Sequence, residues 1–241
     1  MANYLLVHGA WHSGACWERV VPLLAAGGHR VFAPSLTGLG DRAALLGPEV
    51  GLDTHVDDVV GLILAEDLTD VVLVGHSYAG LVVSAAANQV PERIAQLVYL
   101  DAMVPEDGES AADVQPVTRS LIDLALRSES GWRVPPLPEL PPPAGLFGVT
   151  DPADLAWLRT LLSDQSVRCF QQTVRLDNPA LAAVPRTHIH CVVGVPEGVV
   201  RRPVAALQPN GTPSQVWELA TGHDCMITMP VDLAELLLKL P

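Results

Sequence analysis

The sequence predicts an α/β fold: a doubly wound, mostly parallel sheet of six strands, with an insertion after the fourth. Three observations lead there. Short apolar runs alternate with segments of helical periodicity along most of the 241 residues. The runs are nearly continuous rather than alternating, as in strands covered on both faces. The alternation breaks at residue 104 and resumes near residue 187.

In chain order, "NYLLVHG" (3–9) is the first strand. The helix after it is irregular, because Pro22 inside "CWERVVPLLAAGG" starts or kinks it. "HRVFAPS" (29–35) is the second strand. In 54–66, Val56, Val59, Val60, Ile63 and Leu64 recur at helical spacing, with Asp53 or Thr54 placed to cap. "DVVLVGHS" (70–77) is the third strand, and 78–89 is apolar all round, which predicts a buried central helix. "AQLVYLDA" (95–102) is the fourth.

Residues 104–186 then interrupt a core formed by 1–103 and 187–241. The interruption holds "RVPPLPELPPPAG" (133–145), too proline-rich for regular structure, and a helical segment at 151–164. Its length, with Trp132 and Trp157, predicts a cap or lid. "HIHCVVG" (188–194) and "SQVWELA" (214–220) complete the strands. Pro230 opens a last helix carrying Leu233, Leu236, Leu237 and Leu240.

Composition narrows the function. Hydrophobic residues make up 49% and charged residues 17%, enough apolar material for a large core. A net charge of −13 argues against nucleic acid, which demands clustered Lys and Arg, and no basic amphipathic helix suits an anionic membrane. Cys16, Cys169, Cys191 and Cys225 show no metal or disulfide spacing and are expected as buried thiols. The terminus "MANYLLVHGAW" lacks a basic n-region, and no run reaches membrane-spanning length, so a soluble, cytoplasmic protein is expected. Nothing in the pattern specifies an oligomeric state.

The third strand ends on Gly75-His76-Ser77-Tyr78-Ala79-Gly80, close to G-x-S-x-G, the strand-to-helix turn that exposes a nucleophilic serine. Ala79 stands where the second glycine belongs. A serine there lies at the carboxyl edge of the sheet, beside the positive end of a helix. It needs a base. His223, in "LATGHDCMITMP" between the last strand and last helix, lies at the same edge. His188 and His190, two apart, are expected as buried, hydrogen-bonded strand residues, and His29 and His55 as surface or capping residues. His76 is expected to orient the turn. Gly9 lets the first loop turn tightly, so that the amides of Ala10 and Tyr78 can receive an oxyanion. Trp11 and His12 of that loop, with Trp132, Phe147 and Trp157, are candidate pocket residues.

"LLVHGAWHSGACWERVVPLLAAGGHRVFAPSLTGLGDR", "DVVLVGHSYAG", "ERIAQLVYLDAMVPEDGES" and "LATGHD" resemble the α/β-hydrolases. Within them the chain is most similar to the cofactor-free subgroup of plant salicylate-methyl esterases, hydroxynitrile lyases and bacterial small-ester esterases. The resemblance spans both core halves and fades in the insertion. It implies Ser77 as nucleophile, His223 as base, Ala10 and Tyr78 as oxyanion hole, and no metal or organic cofactor.

It also implies an aspartate after the fifth strand, where this chain has "GVPEGVV" with Pro196 at the expected place. Asp101, ending the fourth strand, is therefore the expected acid, and Glu197 the second choice. The expected activity is hydrolysis of a small, mostly apolar ester, or a lactone or thioester, through an acyl-enzyme. A hydroxynitrile lyase would carry lysine after the histidine, and Asp224 stands there. A non-catalytic small-molecule receptor on the same fold is the alternative from another class.

Overall fold

A computed structural model describes residues 1–240 of the chain. Strands β1 (Asn3–Val7), β2 (Arg30–Phe32), β3 (Val71–His76) and β4 (Ile94–Leu100) alternate with helices α1 (Val21–Ala26), α2 (Leu52–Ala65) and α3 (Ala79–Gln89). The next segment carries α4 (Ala111–Val114), α5 (Thr118–Arg127), β5 (Arg133–Val134), α6 (Pro152–Leu161), β6 (Gln165–Ser166) and α7 (Arg168–Gln171). The chain returns to the sheet with β7 (Arg186–Cys191) and β8 (Gln215–Leu219), then ends in α8 (Cys225–Thr228) and α9 (Pro230–Leu237).

The six core strands run in the order β2-β1-β3-β4-β7-β8, and every pairing is parallel. β3 lies at the middle of the sheet and is buried at every position, which explains its continuous apolar run. One hydrophobic cluster, centred on α2 and α3, fills one face; the other packs Trp17, Leu24, Met226 and Leu233 against the opposite face. All residues from Ala79 to Asn88 are buried, as their sequence predicts for α3. β5 and β6 pair with each other in a separate antiparallel ribbon.

Several local expectations change. Pro22 starts α1 rather than kinking it, after a 3-10 turn at Gly14–Trp17. Neither Asp53 nor Thr54 is the N-cap of α2. Gly51 holds that place, and its N–H donates to Thr54 Oγ1 (3.2 Å) from the first turn. His55 is not at the surface: it is fully buried between Tyr78 Oη (3.1 Å) and the Thr37 carbonyl (3.0 Å). All four cysteines are free and buried. No helix among the described residues is long and apolar enough to cross a membrane.

Candidate active site

Ser77 joins β3 to α3 with φ of +55°, a left-handed conformation that costs a non-glycine residue about 1–3 kcal/mol. Three backbone bonds hold it there. Its N–H donates to the Leu100 carbonyl (3.2 Å), and its carbonyl accepts from Met103 (3.0 Å) and Gly80 (3.1 Å). Glycine is needed where the elements touch. A Cβ on Gly75 would meet Val83 Cγ2 at 2.6 Å, and one on Gly80 would overlap the Met103 carbonyl oxygen. The close approach therefore falls at Gly80, one place after the usual motif glycine, and Ala79 is accommodated fully buried. The Ser77 hydroxyl is partly exposed and makes no hydrogen bond among the described residues.

Across the same edge, His223 Nδ1 lies 2.6 Å from Asp101 Oδ2. Asp101 follows β4 with φ of +43°, which turns its side chain off the strand path towards the loop after β8. Its other oxygen, Oδ1, accepts from Arg201 Nη2 (2.7 Å) and the Cys191 N–H (3.2 Å). Arg201 also donates to the Cys191 carbonyl (2.9 Å). Burial pushes the Asp101 carboxyl up, but the His223 contact and Arg201 charge outweigh it and hold the group well below the usual carboxylate range. Burial pushes His223 down, whereas the bond to Asp101, with its charge and that of Asp224, raises it to about 9.

A second polar cluster supports the histidine from beneath. His12 Nε2 lies 2.8 Å from Asp224 Oδ2, and His12 Nδ1 lies 2.7 Å from the Ala10 carbonyl. His76 Nε2 contacts the His223 carbonyl (3.1 Å), and the two rings sit 4.5 Å apart. His76 is fully buried; that burial, then the charge of His223, lowers its pKa to about 3, so the ring is neutral. His76, His223 and Asp224 are also the residues whose ligating atoms gather within 4.8 Å. The Asp101 and His12 bonds already claim His223 and Asp224, which makes the group a hydrogen-bonded scaffold.

The first loop brings the remaining groups. Gly9 packs against Ser77 and His76, with a hypothetical Cβ 2.9 Å from Ser77 Cβ. Among the described residues, no acceptor engages the amides of Ala10 or Tyr78. Trp11, with φ of +65°, ties this loop to the segment between β4 and β7. Its N–H donates to Gln165 Oε1 (2.8 Å), its indole N–H to the Val134 carbonyl (3.0 Å), and its carbonyl accepts from Ser163 (2.9 Å). Phe147 is also brought in: its ring centroid is 4.8 Å from His12 and 6.4 Å from His223.

Other expected residues lie elsewhere. His12 does not line a pocket; at 1% exposure it is sealed inside by its bond to Asp224. Trp157 lies on α6 under the Arg19 guanidinium (4.7 Å) and packs on the face opposite α2 and α3. Trp132 packs beside the α2–α3 cluster with Arg133 over its ring. Glu197 is in an exposed turn after β7, and among the described residues His223 Nδ1 pairs with Asp101 rather than with it. Sequence reasoning missed Arg201 and the His12–Asp224 pair. The signal for Arg201 was present, since "RR" at 201–202 is the only arginine pair in an acidic chain.

These elements match the alpha/beta hydrolase family over residues 4–236, and the chain belongs to that family. It is similar over its whole length to a carbendazim-hydrolyzing esterase of Nocardioides sp., with 38% identity over 246 residues and 100% of both chains covered. It is also similar to Methylesterase 1 of Arabidopsis thaliana, 35% identical over 114 residues, covering 46% of this chain and 43% of that one. Among solved structures, an extracellular alpha/beta-hydrolase from a Paenibacillus species superposes with a TM-score of 0.73 at 23% identity, covering 100% of this chain and 99% of that one.

Proposed function

We propose that this chain is a serine esterase for small, mostly apolar esters, with Ser77, His223 and Asp101 as its catalytic triad. The observation that carries the reading is the 2.6 Å contact between Asp101 and His223, at the sheet edge where Ser77 is held at positive φ. Asp101 fixes the tautomer that leaves His223 Nε2 free to accept a proton. As Ser77 Oγ attacks the ester carbonyl carbon, its proton passes to Nε2, and the carbonyl oxygen becomes an oxyanion received by the Ala10 and Tyr78 amides. Collapse breaks the bond to the alkoxy group, which leaves as an alcohol with the proton from His223. Water then gives a proton to His223 as its oxygen attacks the acyl carbon; the bond to Ser77 Oγ breaks, Oγ takes that proton back from His223, and the acid is released.

The identity to the Nocardioides esterase extends through residues 104–186, which we take to be a cap over the acyl site. Carbendazim, the compound in that relative's name, is accordingly the first substrate to assay, followed by methyl and aryl esters, lactones and thioesters. Asp224, where a lyase of this subgroup would carry lysine, is bound to His12 and supports hydrolysis over cyanohydrin cleavage. Ser77→Ala should lower kcat by about 10⁶ on whichever ester the wild type turns over. Near-wild-type turnover in that variant would end the serine reading.

A further inference from the structure

β7 places Arg186, His188 and His190 on one face, at the two-residue period of a strand. The sequence predicts the two histidines to be hydrogen-bonded. Neither ring makes a hydrogen bond among the described residues, although His188 is only 8% exposed and stacks on Tyr99 at 5.1 Å. The Arg186 side chain is equally without partners. Its main-chain N–H donates to Gln208 Oε1 (2.6 Å), but its guanidinium makes no hydrogen bond or ion pair among the described residues, and its Nε is enclosed. In a chain with 27 acidic residues against 14 Lys and Arg, a partly buried cation left unpaired is notable.

The topology explains the space in front of these groups. The connection from β7 to β8 contains no helix, so this face is covered by the irregular run 202–209. A pocket of about 330 Å³ remains, with Arg186, His188 and Arg202 as its charged or titratable lining and Val104, Val204 and Leu207 in its walls. Arg202 is already neutralised by Glu109 (2.7 Å) and Glu106 (3.5 Å). One free guanidinium, one free imidazole and apolar walls suit a single negative charge on an apolar body. A phosphate dianion would need more donors and no such walls.

We propose that this pocket binds an organic monocarboxylate, with the carboxylate held by Arg186 and His188 and the apolar chain against Val104, Val204 and Leu207. The site does not depend on the catalytic reading. Arg186 pairs with Leu97, so it lies along the strands from the edge that carries Asp101.

Calorimetric titration of the purified protein with hexanoate, with acetate and inorganic phosphate as controls, tests the assignment. Hexanoate should bind saturably at one site per chain and more tightly than acetate, and phosphate should not displace it. Arg186→Gln should weaken hexanoate by about tenfold or more. Ala205→Phe, a change at an exposed lining residue that leaves the strand intact, should block it as well. The second variant decides the matter if the first fails to fold, as judged by its thermal melt. No binding to the wild type, wild-type affinity in a folded variant, or tighter binding of phosphate than of hexanoate would each overturn the proposal.

Discussion

The two oxygens of Asp101 serve two cations, His223 on Oδ2 and Arg201 on Oδ1. Asp101→Asn should preserve the shape yet lower kcat by about 10⁴, because the amide no longer fixes the histidine tautomer. Glu197→Gln should leave kcat near wild type, and the opposite ranking would move the acid to the loop after β7. The pH profile gives a second reading of the same pair. His223 accepts a proton only when neutral, and its pKa is raised to about 9. The plot of kcat/KM should therefore rise with pH through a midpoint above the ordinary histidine value of about 6.5. Asp101→Asn should move that limb to lower pH. Arg201→Gln should move it higher, since the carboxylate then serves the histidine alone. The same shift contributes to stability in full below about pH 6.5 and is lost as pH rises through about 9.

The strand-to-helix turn depends on the missing side chains of Gly75 and Gly80. Gly80→Ala would press a methyl group into the Met103 carbonyl and should destabilise the fold by about 1–3 kcal/mol, read from urea denaturation. Ala79→Gly, which restores the usual motif, relieves no such contact and should not raise kcat. The segment between β4 and β7 is bound to the first loop by three hydrogen bonds at Trp11, and it presents Phe147 beside His223. If it is a cap, Phe147→Ala should change the ranking of esters by kcat/KM. Trp157→Ala should not, because that ring packs with Arg19 on the other face. An unchanged ranking in the Phe147 variant would count against the cap.

Across the whole molecule, the order of strands and helices was legible because each run carries its own period: continuous in β3, helical in α2, proline-started in α9. Ser77 and His223 stand out as candidates because local motifs mark them. Two contacts were not legible. His12 meets Asp224 across 212 residues, and Arg201 meets Asp101 across 100, so no local pattern joins either pair. Asp101 could be argued only from its place at a strand end, and its φ of +43° is a property of the fold. Arg186 lies two residues before the run that the sequence marks as a strand, so nothing local sets its side chain apart. If Ser77 is an activated nucleophile, it reacts covalently with a fluorophosphonate probe, read by intact mass and peptide mapping. One adduct per chain is expected on Ser77, and none on the Ser77→Ala variant. A wild-type protein that takes no adduct, or takes it on another residue, would remove Ser77 from the reaction.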